Sequence, residues 1–211
     1  ALDLAHGDVH CGTRALRFDY LVLALGSETN FFDIPGLQEF SLPLKTFLDA
    51  MRIRDRVLSL HDDVMESPQI VIGGGGSTGV ELAGELQQWL CELGVKHRKQ
   101  CAAEVTLIDG GNRLLSAFDS RISMLAFERL HELGVRVMLG SRVARVSARE
   151  ITFSSGKIQP YDLFVWAGGV RAVSLMSELP LKNDGRRVTV VPQMECLPHQ
   201  EDLRLYGKIY G

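Results

Sequence analysis

The sequence predicts an α/β fold in which a parallel sheet alternates with helices and carries an antiparallel meander. Three observations predict it. The β-branched run Ile70-Val71-Ile72 leads into a glycine turn and then into Val80, Leu82, Ala83 and Leu86, an apolar stripe at helical spacing. Strand and helix patterns alternate from there to Met138, and short alternating runs joined by turns fill Arg142 to Gln159.

Taken in order, the chain opens with two short strands, Val9-His10-Cys11 and Leu16-Arg17-Phe18, around Cys11-Gly12-Thr13. Tyr20 to Ala24 reads as a buried strand ending at Gly26. Three short strands are a marginal unit without a further covering layer, so they read as part of something larger. Phe31 to Gly36 is expected to be an extended crossing, since Pro35 prevents regular helix and Gly36 allows a turn. Phe47, Met51, Ile53, Val57 and Leu60 recur among charged residues at a helical period, and Ser67-Pro68 ends the connection to the central strand.

After the glycine turn the helix runs past Trp89 and Leu93, with Lys96 to Gln100 leading to the strand Val105-Thr106-Leu107-Ile108. Gly110-Gly111-Asn112 turns the chain. Asp119-Ser120 caps a helix carrying Ile122, Leu125, Leu130 and Leu133, Gly134 closes it, and Val135 to Met138 is the next strand. Strand-helix-strand-helix-strand with right-handed crossovers gives a Rossmann-like half. Val143 to Val146 and Glu150 to Phe153 then form the meander, with one face buried. Tyr161 to Val170 is a strongly apolar strand ending in Gly168-Gly169, and it repeats the plan of Phe18 to Gly26: aromatic, aspartate, apolar run, alanine, glycine. The repeat suggests that the chain crosses between domains at both places.

Bulk composition narrows the function. A chain of 211 residues exceeds the ~100–150 typical of one domain. With 23 Lys+Arg against 26 Asp+Glu there is no basic stripe, so nucleic acid is not an expected partner. No apolar run reaches the ~18 residues of a membrane span, and no signal peptide opens the chain. Cys11, Cys91, Cys101 and Cys196 form no C-x-x-C pair, which favours reduced thiols in a cytosolic compartment. His6, His10 and Cys11, or Cys196 with His199, fall short of four ligands in closed geometry, so no metal is expected.

The chemistry lies in Gly74-x-Gly76-x-x-Gly79. In a dinucleotide site the first glycine makes the turn, the second lets backbone approach a pyrophosphate, and the third permits close helix-strand packing. Gly75, Ser77 and Thr78 complete the turn, and the new helix offers free N–H groups to phosphates. Asp109 at the end of the second strand can accept hydrogen bonds from adenosine ribose hydroxyls. Its distance from the glycine at 79 is longer than the usual ~20 residues because the intervening helix and its basic tail are long. A carboxylate there favours NADH over NADPH, while Arg113, most simply an exposed residue beside a turn, is the one nearby cation able to answer a 2′-phosphate.

These residues resemble the two-dinucleotide-binding flavoprotein reductases, members of the FAD-dependent pyridine nucleotide-disulfide oxidoreductases, and within them type II NADH dehydrogenases, the single-subunit NADH:quinone oxidoreductases. The likeness rests on Asp19 through Gly26 to Asn30, Phe31, Pro35 and Gly36, on Gly74 to Glu85, on Asp109 to Leu115, and on Val165 to Arg171. It implies an NAD(H) domain inserted into a split FAD domain. Residues 1–30 would then be a fragment of the FAD domain, 31–172 the Rossmann-like NAD(H)-binding domain, and 173–211 the return toward the FAD domain. By the same resemblance Gly74, Gly76 and Gly79 hold the NADH pyrophosphate, Asp109 the ribose, and Glu81 lies near the nicotinamide end. Ala167, Gly168 and Gly169, with Ala24 and Gly26 of the repeated segment, border the flavin. On its own, Glu81 reads as a first-turn acid complementing the helix dipole, and Gly168-Gly169 as a plain turn.

The family's FAD-binding glycine loop is expected before Ala1 and its Gly-Asp flavin motif after Gly211, which makes this chain the NADH-binding segment of a flavoenzyme and not active alone. In the parent, hydride would pass from NADH to FAD and then to a quinone, with no general acid, base or nucleophile assigned in this chain. The full-length protein is expected to be cytoplasmic, with peripheral contact at the inner face of the membrane through segments missing here, and to form a homodimer. Rival readings are NADH oxidases, ferredoxin reductases and dithiol reductases, or an NADH-sensing module. A more remote one is a serine hydrolase: Gly75-x-Ser77-x-Gly79 matches a nucleophile elbow, with Asp162 or Asp184 and His199 completing the order Ser, Asp, His. That reading leaves Gly74, Asp109 and the paired crossings without a role.

Overall fold

The computed structural model describes residues 2–4, 6–63, 68–96, 104–184, 187–199 and 207–211. It divides into two compact units: Thr29–Gly169, and Ala1–Glu28 together with Val170–Gly211.

The larger unit is built on a parallel sheet. Its strands are β1 (Leu42–Pro43), β2 (Gln69–Gly73), β3 (Glu104–Ile108), β4 (Arg136–Met138) and, after the meander strands β5 (Val143–Val146), β6 (Glu150–Phe153) and β7 (Ile158–Pro160), β8 (Leu163–Trp166). Their order is β1-β8-β2-β3-β4, and every pairing is parallel. Alternation along the strands sorts side chains to two faces. Ile70, Ile72, Val105, Leu107, Leu163 and Val165 pack against helices α1 (Phe47–Asp63), α2 (Ser77–Lys96) and α3 (Ser120–Glu132), through residues such as Ile53, Val57, Ala83, Leu86 and Leu130. Val71, Ile108, Phe164 and Trp166 face the other way, onto Val143, Val146, Ile151 and Phe153 of the meander. Strands buried on both faces read as continuous apolar runs, which is why β2, β3 and β8 were legible.

Helix ends are where the residues announce them. Thr46 and Asp49 form a reciprocal cap for α1: Asp49 Oδ2 accepts the Thr46 and Lys45 N–H groups at 2.8 and 3.2 Å, and Thr46 Oγ1 accepts the Asp49 N–H at 3.2 Å. Burial alone would raise the Asp49 pKa, but these bonds and the charge of Arg52 hold it below its ordinary value. Asp119 caps α3 by accepting from Arg121 N–H at 2.8 Å. At the other end Gly134, with φ +86°, donates to His131 O while Val135 donates to Leu130 O, the two bonds of a Schellman stop.

The smaller unit contains the hairpin Asp8–Cys11 with Arg14–Arg17, the parallel pair Leu21–Val22 with Ile209–Tyr210, and a core of Leu4, Leu179, Leu181, Cys196 and Ile209.

Three expectations change. Tyr20 to Ala24 is not a buried strand: only Leu21–Val22 is strand, and Tyr20 and Val22 are 70% and 69% exposed because this sheet is not covered on both faces. Phe31 to Gly36 is not an extended crossing but a turn, with Phe32 and Asp33 at φ +51° and +53°, leading into a short helix, Leu37–Phe40; Pro35 rules out helix but does not impose extension. Cys91 is disulfide-bonded whereas Cys11 and Cys196 are free, so the thiols are not all reduced; bridging depends on proximity in the fold, not on C-x-x-C spacing. Ser67, His97 to Gln100 and Cys101 lie outside the described residues. Among the described residues no helix is long and apolar enough to cross a membrane.

Candidate functional site

The strand order reverses beside β2: β3 and β4 follow on one side, and β8 returns on the other. The crevice past the carboxyl ends of the strands at such a reversal is where open α/β sheets bind ligands. The glycine turn sits there. Gly74 takes φ +117°, and a Cβ on it would lie 2.5 Å from Ala167 O and 2.7 Å from Gly168 Cα, so β2 and β8 end back to back with no room for a side chain. A Cβ on Gly79 would lie 1.8 Å from Gly74 O, so α2 starts in direct contact with the turn. Gly76 differs from both. A Cβ there meets nothing within 4 Å, and Gly76, Ser77 and Thr78 are exposed.

Two glycines therefore serve packing and one faces open space, where the first N–H groups of α2 also point without intrahelical partners. The positive end of a helix suits a pyrophosphate. The open side of Gly76 and the start of α2 thus bring free space and unpaired N–H donors to one place.

Asp109 closes the site on the β3 side. Its Oδ2 accepts the Gly75 N–H at 2.6 Å and its Oδ1 the Gly111 N–H at 2.6 Å. Each carboxylate oxygen has a second lone pair, so both remain able to accept from a ligand. The carboxylate also shapes the turn, a part not visible in the sequence pattern.

Glu81 is exposed and lies one turn along α2 from Thr78; the first turn of α2 contains no acid, so the reading of Glu81 as a first-turn partner of the dipole is set aside. Ala167 donates its N–H to Gly73 O at 2.7 Å, and Gly168 lies over the Trp166 ring, 2.2 Å from where its Cβ would stand. Trp166 is itself pinned by Nε1 donating to Asn30 O at 2.8 Å and by an edge contact from Phe32. Gly169, at φ +137°, is exposed. Gly74 to Gly79, Asp109 and Ala167 to Gly168 are thus gathered at one end of one sheet, while Ala24 and Gly26, both exposed, belong to the other unit.

Two sequence readings are corrected. Arg113 is half-buried and its guanidinium is occupied, donating to the carbonyls of Ser116 and Phe118 at 2.7 and 3.0 Å and to Ser123 Oγ at 3.2 Å. It is not a loose surface residue, and three of its five N–H groups are donated within the chain. A hydrolase triad through Asp162 fails: its carboxylate accepts the Gln69 N–H at 2.9 Å, at the amino end of β2, the opposite end of the sheet from Ser77. A groove of about 470 Å³ lined by Arg52, Tyr161 and Asp162 opens at that opposite end as well.

Residues 1–196 match the family model described as pyridine nucleotide-disulphide oxidoreductase. The external alternative NAD(P)H-ubiquinone oxidoreductase B2 of Arabidopsis thaliana is 34% identical over 172 residues, covering 74% of this chain and 30% of that protein. The type II NADH:quinone oxidoreductase of Haemophilus influenzae is 29% identical over 211 residues, covering 89% of this chain and 47% of the relative. Among solved structures, NDH2 from Plasmodium falciparum in complex with NADH shares the fold, with a TM-score of 0.85 at 23% identity over 99% of this chain and 47% of that one. The chain therefore spans less than half the length of these relatives. With its fold, its glycine turn and a family match over most of its length, the chain belongs to the pyridine nucleotide-disulphide oxidoreductase family.

Proposed function

We propose that this chain is the NADH-binding part of a flavin-dependent oxidoreductase that passes hydride from NADH to FAD and then to a quinone. The observation that carries the proposal is the open side of Gly76, set between a helix start and the Asp109 carboxylate at the strand reversal. The names of the relatives, NADH:quinone and NAD(P)H-ubiquinone oxidoreductases, support the choice of donor and acceptor. NADH, when bound, would supply the hydride and FAD would receive it. The chain's own residues bind and orient. Gly76 and the N–H groups of Ser77 and Thr78 take the pyrophosphate, Asp109 takes the ribose hydroxyls, and Glu81, Ala167 and Gly168 lie toward the nicotinamide. The sequence contains one Gly-x-Gly-x-x-Gly, at 74–79. The reading carries with it peripheral contact with a membrane, where a lipid-soluble quinone resides, and pairing of two copies.

The test is nucleotide choice. Asp109 would face a 2′-phosphate as like charge, so wild type binds NADH more tightly than NADPH, and Asp109→Asn narrows the gap. Because the carboxylate also accepts the Gly75 and Gly111 N–H groups, the variant weakens both nucleotides and the ratio is the quantity to read. Dissociation constants are measured at one ionic strength, since salt screens the effect. Equal binding by wild type, or an unchanged ratio in the variant, moves the ribose ligand elsewhere.

A further inference from the structure

Both polar groups of Gly75 are held by the stretch that follows β3. Its N–H donates to Asp109, and its carbonyl accepts the Leu115 N–H at 2.8 Å. Leu114 beside it is fully buried, with a methyl carbon 2.9 Å from where a Gly75 Cβ would stand. To aim its N–H at the glycine turn, Leu115 adopts φ +48°, a left-handed conformation that leucine rarely takes. Such a conformation persists only where the surroundings over-determine it.

Arg113 supplies that constraint. Its planar guanidinium reaches Ser116 O and Phe118 O, on the far side of Leu115, and Ser123 Oγ, buried in the first turn of α3. Phe118 N–H closes the loop on Leu115 O at 2.8 Å. One residue thus ties the loop to itself and to a helix anchored in the core by Leu130. A planar fork of donors suits several fixed acceptors better than an ammonium does.

We infer that Arg113 is a positioning residue for the dinucleotide site: by clamping the 113–118 loop to α3 it holds Leu115 against Gly75 and sets the orientation of the glycine turn. The inference rests on the reading of that turn as the pyrophosphate site. In it Arg113 touches no nucleotide. Its influence is therefore shared by every ligand with a pyrophosphate and is indifferent to the 2′-phosphate, unlike that of Asp109.

The experiment uses the 211-residue chain. Dissociation constants for NADH, NADPH and ADP-ribose are measured for wild type, Arg113→Ala, Arg113→Lys and Ser123→Ala, with circular dichroism to establish folding. Loss of charge-assisted bonds in Arg113→Ala weakens all three ligands roughly tenfold. The NADH to NADPH ratio stays at the wild-type value, Arg113→Lys and Ser123→Ala fall between, and millimolar guanidinium restores affinity to Arg113→Ala. A folded Arg113→Ala that binds NADH within about twofold of wild type overturns the inference, as does a loss confined to NADPH, which would mean direct contact with the 2′-phosphate. Should Arg113→Ala fail to fold, Arg113→Lys and Ser123→Ala decide by the same criteria. Failure of wild type to bind NADH overturns the reading of the turn itself and is seen before any variant is compared.

Discussion

Replacing Gly79 by alanine isolates the glycine that serves the fold from the one that faces the ligand. The added Cβ would stand 1.8 Å from Gly74 O and 3.0 Å from Gly74 C, where ordinary contact begins at 3.4 Å. The obstacle is backbone, so the start of α2 must retreat by about 1.6 Å or the turn must open. Either movement disturbs the packing of Ala83, Leu86 and Leu90 against the sheet. Overpacking costs about 1–3 kcal/mol where side chains can shift, and a backbone obstacle belongs at or above the top of that range. Helix propensity returns at most about 1 kcal/mol of this. A net loss of about 2–3 kcal/mol lowers the urea midpoint by about 1–2 M. Trp89 and Trp166 both lie in the larger unit, so tryptophan fluorescence follows its unfolding. Gly76→Ala, with nothing within 4 Å of its Cβ, keeps the wild-type midpoint. A Gly79→Ala midpoint within about 0.3 M of wild type would refute the argument from close approach.

Two further predictions concern stability away from the site. Asp49→Ala removes the reciprocal cap of α1 and costs about 1–2 kcal/mol in urea unfolding at pH 7. Because the Asp49 pKa is lowered in the folded state, its contribution is fully present above the model-peptide value of 3.8 and is lost as pH falls through the folded-state value; the variant therefore loses less stability than wild type over that acid range. Tyr161→Phe removes a hydroxyl that donates to Ser147 O at 2.6 Å, beside Phe40 O at 3.1 Å, and leaves part-buried carbonyls short of a donor, costing about 1 kcal/mol by the same assay. Burial raises the Tyr161 pKa, so the wild-type contribution persists through neutral pH and is lost only in strong alkali.

How much of this was legible in the sequence depended on what each residue had to satisfy. Ile70 to Ile72, Val105 to Ile108 and Leu163 to Trp166 are buried on both faces, so their composition alone marks them. Gly74, Gly76 and Gly79 carry a local pattern, and the fold shows close backbone approach at Gly74 and Gly79 and open space at Gly76. The strand Leu42–Pro43 escaped notice because two residues with a proline carry no period, and they become a strand only by pairing with Val165 and Trp166. The apolar run at Tyr20 to Ala24 misled because hydrophobicity signals a partner layer without saying which segment supplies it. Arg113 was the least legible: its charge suggested solvent or phosphate, whereas its partners are two carbonyls and a hydroxyl that carry no sequence signature. The same holds for Asp109, whose position at a strand end was readable and whose hold on Gly75 was not.

The most direct test of the central claim, that the open side of the glycine turn receives the pyrophosphate of NADH, is calorimetric titration of wild type and Gly76→Val with NADH, each checked by circular dichroism. Wild type is expected to bind, and the valine, growing from a position with no neighbour within 4 Å into the path of the phosphates, to leave the fold intact and abolish the heat of binding. A folded Gly76→Val that binds NADH with wild-type affinity would contradict it.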